Sequence, residues 1–330
     1  MSSLVFTLCS NNYLAHAASL GDSIRQFDPE VEFIIGLVDK ADSIIDYSQF
    51  SGFDIIPFLE LGYPEFQEML LRYNIIEFNT AVKPFYFEYL FKTRPDLDRI
   101  YYIDPDILFY QSIKNIETAW DNASAVLTPN LLYLPEKTVR GELASLKHGI
   151  NNLGFIGIAR SEEGQKIVTW WKERLTHHCK LDKCNGIFVD QKWMDIAALF
   201  FKDIKSVKHP GWNMAWWNLT ERKLISEEGT YFVNSLNDKL IFFHFSGFRP
   251  GVSTMTWRIE SAEFDMESDG PLRMLFDAYQ DTLYARGFLE LSKIKPLIKF
   301  REEPNDLRHR IGRKLSSKTR NAIYRIFGVK

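Results

Sequence analysis

The stretch Arg99-Ile-Tyr-Tyr-Ile-Asp-Pro-Asp-Ile-Leu-Phe-Tyr110 sets two carboxylates, Asp104 and Asp106, at the end of an apolar run with no local countercharge. Ile100 to Ile103 reads as a strand buried on both faces, and ligands of open α/β sheets gather at the carboxyl ends of such strands. Hard oxygen ligands at i and i+2 suit a divalent cation, Mg²⁺ or Mn²⁺, holding a diphosphate, because coordination positions stay open for substrate oxygens. An Asp-x-Asp pair alone also fits a strand ending in a polar turn, so the surrounding chain must decide.

Outward from this strand, strands and helices alternate. Leu4 to Leu8 reads as strand, Ser10-Asn-Asn12 as a polar turn, and the segment to Phe27 as helix. Glu32 to Val38 and Phe53 to Phe58 are the next strands and Pro64 to Tyr73 a helix; Ala81 to Lys92, capped at Asn79-Thr80, leads into the Asp-x-Asp strand. Downstream the pattern predicts helices at Ile113 to Trp120, Glu162 to His177 and Asp190 to Phe200, and strands at Ala123 to Leu127 and Leu240 to Phe245. Gly149 to Ala159 is strand-like with Gly154 and Gly157 inside it, a mark of close approach by another group. The alternation predicts an α/β fold with a mostly parallel central sheet flanked by helices.

Composition sets bounds. The 330 residues, 45% hydrophobic and 25% charged, suit one large domain with an appendage. A formal net charge of -3 argues against whole-molecule attraction to nucleic acid or to an anionic membrane. Cys9, Cys179 and Cys184 form no Cys-x-x-Cys pair and are odd in number, which argues against a disulfide framework and for a reducing cytoplasm. With His177 and His178, the latter two lack zinc-knuckle spacing. There is no signal-like start and no apolar run of the ~18 residues that crosses a bilayer, so the chain is expected to be cytoplasmic, soluble or peripheral.

From Lys299 to Lys330 ten basic side chains face three acidic ones, a formal charge of +7, interspersed with Ile311, Leu315, Ala322, Ile323, Ile326 and Phe327. A basic amphipathic helix of this kind suits an anionic leaflet on the inner face of a cell membrane; a solvated helix or a disordered basic end fits equally. No stacking platform accompanies the charge, so no nucleic-acid partner is expected.

Six stretches, in order, carry a resemblance: Thr7 to Tyr13, Ala81-Val-Lys-Pro84, Asp104-Pro-Asp106, Asn151-Asn-Leu-Gly-Phe155, Asp190-Gln191 and His244-Phe-Ser-Gly-Phe-Arg-Pro250. Over roughly residues 1 to 250 the chain resembles the GT-A nucleotide-sugar glycosyltransferases, in particular the glycogenin and lipopolysaccharide galactosyltransferase group and related bacterial surface-polysaccharide transferases. The resemblance implies a GT-A domain over 1–270, with 271–330 as a basic helical extension. It implies that Thr7, Ser10, Asn11, Asn12 and Asp39 contact the base and ribose of a nucleotide-sugar donor, a UDP-hexose, and that Lys83 faces the donor sugar or diphosphate. Asp104, Asp106 and His244 become the ligands of Mn²⁺ or Mg²⁺, with Gly247 approaching phosphate and Arg249 standing where the family carries lysine. Arg keeps the charge but presents a planar fork.

By the same resemblance Asp190 and Gln191 sit beside the anomeric carbon, with Asp190 stabilising oxocarbenium character or acting as a base. Asn151 and Asn152 orient donor or acceptor hydroxyls. Trp212, Trp216 and Trp217 are candidates for an acceptor platform or for the core. The implied activity is hexosyl transfer to a hydroxyl of a glycan or lipid-linked glycan acceptor, such as lipopolysaccharide or O-antigen, with retention of configuration. Two alternatives stand beside it: a non-catalytic scaffold or membrane-docking subunit of a polysaccharide assembly complex, and an Asp-x-Asp phosphoryl-transfer enzyme. The second would need its motif near the N-terminus, with an aspartate nucleophile.

Overall fold

Alternate residues of the N-terminal strand enter two different apolar layers, Leu4, Phe6 and Leu8 on one side and Val5 and Cys9 on the other. A strand covered on both faces needs a continuous apolar run, as this one is. The computed structural model describes residues 2–134, 140–251 and 270–302. In chain order its first elements are β1 (Ser3–Cys9), α1 (Leu14–Arg25), β2 (Glu32–Leu37), β3 (Asp54–Pro57), α2 (Phe66–Arg72), α3 (Ile75–Ala81), α4 (Lys83–Thr93), β4 (Arg99–Ile103) and β5 (Ile107–Phe109). There follow α5 (Lys114–Glu117), β6 (Ala125–Pro129), α6 (Arg140–His148), β7 (Asn151–Ala159), α7 (Glu162–His178) and α8 (Gln191–Phe200).

The main sheet has seven strands in the order Ile204–Ser206, β6, β7, β4, β1, β2, β3. All pairs are parallel except those made by β7, which runs antiparallel to both β4 and β6. This reversal brings the start of β7 beside the end of β4, where the Asp104 amide donates to the Gly154 carbonyl at 2.7 Å. Behind that end lies a second, three-stranded sheet of β5, Phe242–His244 and Met214–Ala215. Its antiparallel register sets His244 opposite Ile107 and so next to Asp106. A third sheet, Leu224–Glu227 with Thr230–Val233 and Ser235–Lys239, has no counterpart in the sequence reading.

Two expected elements differ. The predicted cap at Asn79-Thr80 lies inside α3, where both side chains donate back to carbonyls one turn earlier, Ile75 at 2.8 Å and Ile76 at 3.1 Å. The expected helix is α4, which starts at Lys83 without a side-chain cap; α3 before it is capped by Asn74, whose Oδ1 accepts from the amides of Ile76 and Glu77 while the Glu77 carboxylate accepts from the Asn74 amide, a reciprocal capping box. The predicted helix over Ile113 to Trp120 shrinks to the single turn α5, with Ile113, Ile116 and Trp120 buried around it.

The helix Gly270–Ala285 buries Leu272, Leu275, Phe276, Tyr279 and Leu283 in one cluster with Leu108, Met214, Phe243 and Phe245. The described residues from 270 onward thus pack into the core formed by the preceding chain. Beyond that helix the chain returns across the sheet. The amides of Leu297 and Ile298 donate to Asp39 Oδ1 at 3.0 and 3.1 Å, and the Arg301 amide to the Tyr73 carbonyl at 3.0 Å. Arg301 also pairs with the buried Glu77 at 3.1 Å. The basic segment from residue 303, with the membrane reading that falls on it, lies outside the described residues. Among the described residues no helix is long and apolar enough to cross a membrane.

Candidate active site

Three side chains converge at the carboxyl end of β4. Asp104 and Asp106 flank Pro105, and His244 arrives from the neighbouring sheet; one ligand atom from each lies within 4.8 Å of the others. His244 Nε2 is 3.1 Å from Asp106 Oδ1 and 3.8 Å from Asp104 Oδ2. Two hard carboxylates and one imidazole make a donor set suited to Mn²⁺ or Mg²⁺. The ring lies against Gly154: a Cβ there would come within 2.6 Å of His244 Cε1, so the glycine in β7 is what gives the imidazole its place.

Lys83 closes one side of this group. It begins α4, is 2% exposed, and its Nζ stands 2.7 Å from Asp190 Oδ2, 2.8 Å from the Leu153 carbonyl and 3.8 Å from Asp104 Oδ1. The ammonium also lies 4.3 Å from the centre of the Tyr102 ring, whose hydroxyl donates to Asp104. It is therefore an internal cation, not a snorkelling surface lysine. Asp190 precedes α8 yet makes no cap hydrogen bond; its carboxylate turns to Lys83. Val189, just before it, holds φ at 40°. A β-branched residue in the left-handed region costs about 1–3 kcal/mol, and such strain collects at functional sites.

Electrostatics follow from this packing. Burial opposes the charge on Lys83, but Asp190 and Asp104 outweigh it and raise its pKa. Burial likewise opposes charge on His244, and Asp106 outweighs it in turn, so that histidine is raised. The reverse holds for Asp106, which burial pushes up and the His244 charge pulls below the usual carboxylate range. On its other side Asp106 faces His16 of α1, which burial lowers to about 4 against the attraction of that carboxylate.

No protein-family model matches the chain. The uncharacterised proteins YfnF and YfnD of Bacillus subtilis (strain 168) are 27% and 23% identical to it, over 76% and 73% of this chain and 82% and 76% of theirs. Among solved structures, the galactosyltransferase LgtC in complex with donor and acceptor sugar analogues superposes with a TM-score of 0.50 at 15% identity, covering 87% of this chain and 99% of LgtC. The chain has the GT-A fold.

Within this GT-A fold the remaining candidates fall into separate places. Gln191 is tied at both ends of its amide: Oε1 accepts from the Leu153 amide at 3.2 Å and Nε2 donates to the His148 carbonyl at 3.0 Å. Asn152 joins the His244 group through Asn213, whereas the buried Asn151 accepts from Ser206 Oγ at 2.7 Å. Asn11 and Asp39 form a second cluster at the ends of β1 and β2, with Nδ2 of Asn11 donating to Asp39 Oδ2 at 2.9 Å. Ser10 Oγ donates to Asn12 Oδ1 at 2.7 Å beside it, and Thr7 is buried in β1 with its hydroxyl unpartnered among the described residues. Gly247, at φ 78°, and the exposed Arg249 lie on the loop that follows His244.

Of the two alternatives left open for Trp212 the core holds: it is 2% exposed and packs edge-on against Phe155, with Phe242 beside it. Trp216 and Trp217 are half-buried, and the Trp217 ring meets His244 edge-on at 5.2 Å. Tyr102, Tyr47, His16 and Asn213 were not anticipated. Only Tyr102 carried a signal, its place two residues before Asp104 on the same strand face.

Proposed function

We propose that this chain is a metal-dependent hexosyltransferase that moves a sugar from a nucleotide-sugar, UDP-linked, to a hydroxyl of a bacterial surface glycan such as lipopolysaccharide or O-antigen, with retention of configuration. The observation that carries the reading is the convergence of Asp104, Asp106 and His244 at a strand end, beside the buried Lys83–Asp190 pair. Asp104, Asp106 and His244 would hold the ion, and a bound Mn²⁺ or Mg²⁺ supplies Lewis-acid neutralisation of the diphosphate. Lys83 adds a positive charge already fixed by Asp190, so little reorganisation accompanies its action on developing negative charge.

Asp190 is the side chain assigned to stabilise positive charge at the anomeric carbon, and Gln191 holds the wall beside it. The acceptor hydroxyl attacks as the glycosyl–phosphate bond breaks, and its proton passes to the departing phosphate oxygen. Thr7, Ser10, Asn11, Asn12 and Asp39 are assigned to the base and ribose, Gly247 and Arg249 to the diphosphate, and Trp216 and Trp217 to the acceptor. Their indole N–H groups are buried without a partner among the described residues, which supports a polar ligand there. The basic C-terminal residues support attachment to an anionic inner leaflet, at about 1 kcal/mol each.

The test is release of nucleoside diphosphate from a panel of UDP-, GDP-, CDP- and dTDP-sugars with Mn²⁺, Mg²⁺ or EDTA. Metal-dependent release from one donor, lost in Asp106→Ala, is the expected result. Absence of both release and metal-dependent donor binding across the panel overturns the reading in favour of a non-catalytic scaffold.

A further inference from the structure

Around His244 the hydrogen bonds form a chain whose direction is set by groups that cannot reverse. A backbone N–H only donates. The Gly154 amide donates to Asn152 Oδ1 at 3.0 Å, which fixes the Asn152 amide with its oxygen toward β7 and Asn213. That same oxygen accepts from Asn213 Nδ2 at 3.1 Å, and Nδ2 also donates to Thr128 Oγ1 at 2.8 Å. Thr128 Oγ1 in turn points its own hydrogen at the Asn152 carbonyl, 3.4 Å away, leaving a lone pair for Asn213. With Nδ2 thus committed, Asn213 presents Oδ1 to His244 Nδ1 at 3.3 Å. An oxygen at that place accepts only from Nδ1–H.

We infer that Asn213 is the positioning residue that holds His244 with its proton on Nδ1, so that the Nε2 lone pair is the atom offered to a cation between Asp104 and Asp106. The inference rests on the metal reading above and adds to it the source of the ring's orientation. Metal-bound histidines depend on such a partner for their second nitrogen. Three further observations agree. Asn213 is 1% exposed, so its amide has no water to turn to. It sits at φ 52°, a conformation that asparagine tolerates and most side chains do not. The far end of the chain reaches Gln191, whose Oε1 lies 3.5 Å from Asn152 Nδ2, so the residue beside Asp190 and the histidine share one oriented network.

The test is calorimetric titration of Mn²⁺ into the full-length chain, with UDP present, for wild type, Asn213→Gly and Asn213→Asp. Both replacements accept the left-handed backbone; glycine removes the amide, and aspartate keeps an acceptor oxygen toward Nδ1–H. Asn213→Gly is expected to weaken Mn²⁺ about 10–100-fold, with Asn213→Asp losing clearly less, and both folded in EDTA at a lower melting temperature than wild type because each removes the Nδ2 donor to Asn152 and Thr128. Wild-type affinity in Asn213→Gly overturns the inference while leaving the metal reading in place, and so does an equal loss in both variants. No Mn²⁺ binding by the wild type overturns the metal reading itself and this inference with it. Should Asn213→Gly fail to fold, ¹⁵N spectra of histidine-labelled wild type loaded with Mg²⁺ and UDP decide: a proton on Nδ1 of His244 upholds the inference, and one on Nε2 overturns it.

Discussion

Two polar clusters stand at the ends of neighbouring strands of one sheet, and they are built on opposite plans. At β1 and β2, Asp39 has both carboxylate oxygens taken: Oδ2 by Asn11, Oδ1 by the amides of Lys40, Leu297 and Ile298. Asn11 is equally spent, receiving Tyr47 on its oxygen and reaching the Lys40 carbonyl with its nitrogen. At β4, Asp104 and Asp106 keep partial exposure and face Lys83, the His244 ring nitrogen and the Tyr102 hydroxyl. The two clusters at the ends of parallel strands thus differ in how many of their oxygens internal hydrogen bonds already use.

The contrast is broken most directly at Asp106. Asp106→Ala is expected to lower donor turnover by on the order of a thousandfold, since it removes one of three converging ligands; near-wild-type release of nucleoside diphosphate would place the chemistry elsewhere. Next is the internal ion pair. Lys83→Met leaves Asp190 buried without its cation and should cost about 3–5 kcal/mol in urea unfolding. Adding Asp190→Leu should recover most of that, and a single variant as stable as wild type would show the pair to be solvated.

Asp106 also has two histidines with opposite shifts, which a pH series separates. His16 is held neutral by burial, near 4 against 6.5 in the unfolded chain. Between those values the unfolded chain binds more protons, so this contribution is complete above pH 6.5 and falls toward pH 4, by about 3 kcal/mol. His16→Gln should flatten that part of the pH dependence in urea unfolding; an unchanged slope would assign it to other groups. The smallest effect belongs to Asp39→Ala, which strands the amides of Leu297 and Ile298 and should cost about 1–3 kcal/mol. Donor KM should rise about tenfold if Asp39 contacts the base or ribose as proposed; an unchanged KM would overturn that assignment.

The central strand and its two aspartates were legible because burial on both faces writes an unbroken apolar run, and the i, i+2 carboxylates interrupt it at one point. Lys83 was legible for the opposite reason, as a charge inside an apolar helix. Strand direction was not: nothing in Asn151 to Ala159 distinguishes a parallel from an antiparallel neighbour, so the closeness of Gly154 to Asp104 emerges only in three dimensions. Asn79-Thr80 reads as a cap because both are good capping types, yet α4 starts at Lys83 without a side-chain cap and the capped helix is α3 before it, at Asn74. Glu77, three residues after Asn74, was the discriminating signal. Asn213 stayed hidden because its role depends on the orientation of the Asn152 amide and the Thr128 hydroxyl, which arrive from distant positions of the chain.

The return of residues 297–302 across the sheet has a mechanical side. A pull on anything attached after residue 302 enters the folded body at Arg301 and Ile298 and is borne by Glu77 and Asp39. From Asp39 the load path runs one bond further to Asn11, in the loop that follows β1. Tension on the C-terminal end is therefore delivered to the loop at the carboxyl end of the first strand.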